Sequence, residues 1–269
     1  MALVPFPGTR APYDGDGDPD DDSAGADKMS FLEHLDELRK RLIIAVSSLA
    51  IGFMVSWAYV EKLVDFIFVP LRATIKGGKF QYIEPGEGFM MRMKLAALAG
   101  LFLALPVILW QIWRFVAPGL YSNEKRFAIP FVFLSTFFFT LGAAFSHYVA
   151  FPWTMLFFAS YESDYMVFIP TISPVFSMYV KMMLAMGLVF EMPTAVFFLA
   201  RIGLVTAGFL IKQFKYALLI IVIAAAILTP GTDVVSQALM AGPMLILYII
   251  SIGIAYIFAK KKTPVDSDA

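Results

Sequence analysis

The sequence predicts an all-α membrane protein, and three observations carry that prediction. Of its 269 residues, 59% are hydrophobic and only 16% are charged, more apolar surface than one water-soluble core can bury. Uncharged stretches about as long as a bilayer is thick recur along the chain, and Lys and Arg gather in alternate connections between them. Crossing ~30 Å of hydrocarbon at ~1.5 Å per residue takes roughly 20 apolar residues in a helix.

The first stretch, Met1 to Lys28, is rich in Gly, Pro and Asp and holds no apolar block. Residues 1–29 are expected to form a disordered acidic tail. Residues 30–259 make the transmembrane domain, and 260–269 a short cytoplasmic tail. Leu42–Val60 and Leu95–Trp113 are uncharged and give helices one and two. Phe127 to about Ala150 opens a long uncharged stretch, helix three, and Met182–Ala200, broken only by Glu191, is helix four. From Tyr216 to Phe258 one charge, Asp233, falls inside the turn-like run Thr229-Pro230-Gly231-Thr232-Asp233, which divides the segment into helices five and six. Helix five, Tyr216–Thr229, rises only about 20 Å and is short for a bilayer.

Orientation follows from the basic residues. Arg39, Lys40 and Arg41 precede helix one; Arg114, Lys125 and Arg126 follow helix two; Arg201, Lys212 and Lys215 follow helix four; Lys260, Lys261 and Lys262 follow helix six. These connections alternate, so both termini are expected in the cytoplasm. The opposite connections are the mixed-charge loop Glu61–Arg92, the stretch near Glu162 and Asp164, and the Asp233 turn. There is no Cys, so thiolate metal sites and Cys nucleophiles are excluded. With two His, His34 and His147, a His-based metal site is not expected.

Four places hold polar chemistry. Ser30 to Leu42 reads as an amphipathic helix starting at a Ser30–Glu33 capping box. Its Asp36–Lys40 and Glu37–Arg41 spacings give either solvated pairs or a binding surface. Between helices two and three, Phe115 to Arg126 places Glu124 in the first turn of a helix, where the dipole favours it, beside an aromatic and Pro118-Gly119 platform. Two carboxylates near one interface can hold guanidinium groups through charge-assisted, bidentate bonds. Glu191 lies ten positions from both Lys181 and Arg201, about 15 Å from each, near the bilayer midplane. Ionised and facing lipid it would cost at least ~2.5–3.5 kcal/mol, so it must be neutral, paired, or turned into a protein-lined recess that Pro193 helps to open. Thr229, Asp233, Ser236 and Gln237 form the last group, open to interhelical bonding or to a partner. His147 is placed at the outer end of helix three with no role, and Gly100, Gly142, Gly187 and Gly253 are expected to permit close helix packing.

Taken in order, Glu37-Leu38-Arg39, Pro70-Leu71, Pro85-x-Glu87-x-Phe89 with Lys94, Phe115 through Arg126, Phe190-Glu191-x-Pro193, and Thr229-Pro230 through Gln237 resemble the TatC family over about Phe31 to Ala259. The resemblance implies a cup-shaped six-helix fold with short helices five and six, and a signal-peptide receptor rather than an enzyme. By resemblance, Glu37, Glu124 and Phe115, with Arg39 and Pro118, form the patch that takes the paired arginines of twin-arginine signal peptides. Glu191, Thr229 and Gln237 dock the single-span helices of TatA- and TatB-like partners. Folded proteins then cross a bacterial or archaeal cytoplasmic membrane, driven by the proton-motive force, with further copies of the chain in the complex and no cofactor or nucleic acid. One departure is Tyr248, followed by Ile249 where relatives often carry an acid. The rival readings are a proton-coupled secondary transporter using Glu191, which calls for more buried ionisable groups along a path, and a scaffold whose polar residues only pack helices.

Overall fold

The computed structural model describes residues 19–72, 80–116, 128–229 and 234–259. Among these the regular structure is helical, apart from isolated bridges pairing Gln81 with Thr171 and Ser163 with Met166. The helices are α1 (Pro19–Ala58), α2 (Val60–Arg72), α3 (Glu87–Val116), α4 (Ala128–Phe145), α5 (Phe151–Ala159), α6 (Ile172–Arg201), α7 (Ala207–Lys212), α8 (Phe214–Leu228) and α9 (Val234–Phe258). A π-helical turn, Ser146–Ala150, joins α4 to α5.

Among the described residues, five segments are long and apolar enough to cross a bilayer: His34–Ala58, Glu87–Phe115, Ile129–Ala159, Ile172–Arg201 and Val234–Phe258. The expected helix five is present as α8, 15 residues long, about 22 Å and short of the hydrocarbon thickness. Helix six is not short as expected. α9 runs 25 residues through Pro243 without a break, a length visible in the uninterrupted apolar run, and its proline is tolerated because neighbouring groups re-satisfy the freed carbonyl.

Two further expectations are corrected. α1 starts at Pro19, so Ser30 lies inside that helix rather than capping it. Proline followed by aspartates is a sequence that suits a helix start. The connection after helix one is not simply a loop, because Val60–Arg72 folds as α2 with Leu63, Val64, Ile67 and Phe68 against the core. Its charged face had masked an amphipathic period.

α1 packs on α3, α4 on α6, and α6 on α9. The α1–α3 crossing is backbone to backbone: a Cβ on Gly52 would lie 2.5 Å from the Gly100 carbonyl oxygen. Gly142 meets the α6 backbone at Met186 and the Phe190 side chain, and Gly187 meets the Phe139 ring. Gly253 has nothing within 4 Å, so it is not a packing glycine. The core centres on α6, where Tyr179, Met182 and Met186 are fully buried beside Phe151, Met155 and Met240. Methionine's unbranched thioether fills the irregular space between crossing helices. On the outside, large apolar side chains such as Ile51, Phe133 and Ile227 stand exposed, the surface of a membrane protein whose solvent is lipid.

The π-helical turn has a local cause. Pro152 stands in the first turn of α5, has no N–H and would crowd the carbonyl four residues back, and widening the helix just upstream relieves both. At the end of α6, Gly203 takes a φ of 83° and the Leu204 N–H donates to the Leu199 carbonyl at 2.9 Å, a glycine-terminated stop. Thr206 then caps α7 by accepting from the Phe209 N–H.

Candidate functional site

The basic end of the bundle, where α1 enters its apolar run and α3 finishes, brings several predicted residues together. Glu37 and Arg41 are one helical turn apart, and the Arg41 guanidinium donates to Glu37 Oε1 through Nε at 3.1 Å and also through Nη2. His34, one turn earlier, has its Nδ1 3.8 Å from Glu37 Oε2. Its imidazole stacks on the Phe115 ring with centroids 4.4 Å apart and planes at 19°. Arg114, next to Phe115, adds its positive field at Glu37. The Glu37 side chain is 33% exposed, so one carboxylate sits at an accessible edge between a guanidinium, an imidazole and an aromatic face. The i,i+4 pair expected at Glu37 and Arg41 is therefore formed. Asp36 and Arg39 are exposed on the same helix and make no ion pair among the described residues. Glu124 and Pro118 lie outside the described residues.

Glu191 lies in the interior of the apolar α6. Its carboxyl is beside the Ser135 hydroxyl of α4, yet Oε1 is buried without a hydrogen-bond partner. One turn along, the Thr194 hydroxyl is buried and equally unpartnered among the described residues. Glu191 is thus aimed into protein, as the desolvation argument requires. Thr229 and Gln237 are committed elsewhere. The Thr229 hydroxyl donates to the Ala225 carbonyl at 2.9 Å, and Gln237 Nε2 donates across the hairpin to the Val222 carbonyl at 2.9 Å. No hydrogen bond among the described residues joins these two to Glu191.

Sequence reasoning missed two participants. His34 was passed over as one polar residue of a mixed face, although its position three before Glu37 places it on the carboxylate's side of the helix. His147, for which no role was expected, is buried. It is 2% exposed in the π-helical turn, bonds through Nδ1 to the Tyr179 hydroxyl at 3.0 Å, and stacks on Phe66 of α2. Only the proline five positions on hinted at that burial. Tyr248, whose following acid is replaced by Ile249, donates its hydroxyl to the Leu210 carbonyl at 2.8 Å and ties α9 to α7. No cluster of metal ligands occurs among the described residues.

Comparison with known proteins bears on the chain as a whole. The profile of the family described as Sec-independent protein translocase protein (TatC) matches residues 33–243. A Sec-independent protein translocase protein TatC from Koribacter versatilis is 41% identical over 237 residues, 87% of each chain. That of Desulforapulum autotrophicum is 43% identical over 243 residues, 90% of this chain and 88% of its own. The crystal structure of a twin arginine translocase receptor, TatC, superposes with a TM-score of 0.72 at 32% identity, covering 82% of this chain and 97% of that one.

Proposed function

The chain belongs to the TatC family of Sec-independent protein translocase proteins, and on that premise we propose that its basic end is a receptor for twin-arginine signal peptides. The observation that carries this reading is the Glu37 carboxylate, already bonded to the Arg41 guanidinium and bordered by the His34–Phe115 stack. A carboxylate that accepts one guanidinium in this geometry accepts an incoming one by exchange. The planar fork of arginine fits it, whereas the single ammonium of lysine does not offer the same paired contact. Phe115 supplies a flat apolar surface on which a guanidinium can stack. Glu124 supplies the second carboxylate, with Arg39 and Pro118 completing the patch.

The basic connections place this end and both termini in the cytoplasm of a bacterial or archaeal cell. Glu191, with an unpartnered oxygen in a lipid-bounded region, is the anchor for the single-span helices of TatA- and TatB-like proteins. Thr229 and Gln237 border the same docking face once the Thr229 hydroxyl leaves the Ala225 carbonyl of its own helix and Gln237 leaves the Val222 carbonyl across the hairpin. Transport of folded proteins then draws on the proton-motive force, and this subunit acts by binding. A secondary transporter is not favoured, since Glu191 has only neutral Ser135 and Thr194 as polar company in its recess.

Crosslinkers placed at positions 37, 115 and 124 test the receptor reading. Each should capture a twin-arginine peptide well above its twin-lysine version, and equal yields overturn it. Glu37→Gln should weaken peptide binding several-fold at low ionic strength and less at high, because salt already screens an exposed charge. Salt-independent binding contradicts the electrostatic account.

A further inference from the structure

A groove of about 790 Å³ opens between α1, α3 and α6, away from the basic end. Phe53 of α1, Leu101 of α3 and Leu184 of α6 line it, and two cations, Lys94 and Lys181, stand at it with Ser177. Both lysines lie within apolar segments of spanning length. Neither has an acidic partner among the described residues.

Their depth identifies what they await. Lys94 lies twenty positions before Arg114 on α3, and Lys181 twenty positions before Arg201 on α6. At the rise of an α-helix each interval is about 30 Å, the thickness of the hydrocarbon. With Arg114 and Arg201 at one surface, Lys94 and Lys181 share one level at the opposite surface, where phosphates lie. From Lys94 the groove descends to Leu101, about 10 Å deeper along α3. A helix ~10 Å across and one leaflet deep fills roughly 1,200 Å³, more than the groove offers, whereas acyl chains are narrow enough to enter.

We propose that this groove is a binding site for an anionic glycerophospholipid of the leaflet opposite the basic end, with its phosphate bridged by Lys94 and Lys181 and an acyl chain along Phe53, Leu101 and Leu184. The phosphate receives point-charge contacts from the two ammoniums, and the Ser177 hydroxyl is available as a further donor. The single negative charge of the phosphodiester, shared between the two ammoniums, offsets one of their two positive charges, and the lipid closes the seam between α1 and α6.

The test uses the full chain in phosphatidylcholine nanodiscs doped with phosphatidylglycerol, followed by native mass spectrometry of retained lipid. Wild type should retain phosphatidylglycerol over phosphatidylcholine. Lys94→Gln and Lys181→Gln should each lower that retention about fivefold, from the typical worth of one lysine near an anionic surface. Lys94→Arg and Lys181→Arg should preserve it. Leu101→Trp, which fills the groove, should expel the lipid with both lysines in place. Circular dichroism melts of every variant separate loss of lipid from loss of fold. Equal phosphatidylglycerol retention in wild type and the double glutamine variant overturns the proposal. So does a parallel fall in both lipids, or retained lipid with loss of a co-purifying single-span partner, which would assign the lysines to a carboxylate on that helix.

Discussion

One added methyl group tests the α1–α3 crossing. A Cβ on Gly100 would lie 2.5 Å from the Phe53 main-chain nitrogen and 2.8 Å from the Gly52 carbonyl carbon, backbone atoms that no rotamer change can move. Favourable carbon contacts begin near 3.5 Å, so in Gly100→Ala the α1 backbone must retreat by about 1 Å. Gly253→Ala is the control, since its new Cβ meets nothing within 4 Å. Both changes put Ala in a helix interior, where it gains up to ~1 kcal/mol over Gly, and that gain cancels between them. What remains is the wedge, which at the usual cost of overpacking is ~1–3 kcal/mol. Reversible unfolding in mixed micelles, followed by circular dichroism, should show Gly253→Ala at or above wild type and Gly100→Ala lower than Gly253→Ala by that amount. Because α1 also carries Glu37, affinity for a twin-arginine peptide should fall in Gly100→Ala alone. Equal stabilities of the two variants refute the reasoning.

Glu191→Leu should leave twin-arginine peptide binding intact and disturb co-purification of TatA- and TatB-like subunits, with the melting temperature unchanged or raised, since it removes a buried oxygen that lacks a partner. Unchanged co-purification counts against the docking role. Tyr179→Phe strips the partner from a buried His147 nitrogen and should destabilise by ~1–3 kcal/mol; a neutral result would show that the ring finds another partner. Away from the basic end, Arg92 donates to both oxygens of Glu61, at 2.8 and 3.3 Å, and this hydrogen bond holds the Glu61 carboxyl below its ordinary 4.5. A carboxyl whose value is lowered by folding stabilises the fold above its unfolded-state value, and that contribution is lost as pH falls through the lower folded value. Wild type should therefore exceed Glu61→Gln in melting temperature by a small, constant margin above pH ~4.5 that vanishes on further acidification. A margin that grows in acid contradicts the pairing.

The spans could be read from the sequence because lipid forbids charge over about twenty residues, so Leu42–Val60 and Met182–Ala200 declare themselves without tertiary information. α2 did not, because Glu61, Lys62 and Asp65 interrupt its apolar residues and only packing against the core reveals the buried stripe. Glu191 stood out as a carboxylate in an apolar stretch, and Glu37 as part of a mixed acidic and basic helix face. The His34–Phe115 stack joins residues far apart in sequence and depends on where α1 and α3 cross. The burial of His147 was hidden for a similar reason: a π-helical turn shifts the facing of every side chain after it, and helical spacing assumes no such shift. The pattern of small residues told glycines apart from larger residues but not from one another, so Gly100 and Gly253 looked alike until their neighbours were known.

At the end away from the basic residues, Gln81 accepts the Ile172 N–H and donates its own to the Pro170 carbonyl, both at 3.1 Å. This main-chain exchange fastens the connection ahead of α3 to the connection ahead of α6. At their opposite tips α3 and α6 meet through side chains, the Trp113 ring lying edge-on to that of Phe198 with centroids 4.5 Å apart. Rings can slide over one another where paired backbone cannot, so relative movement of α3 and α6 is freer at the basic rim than at the backbone clasp.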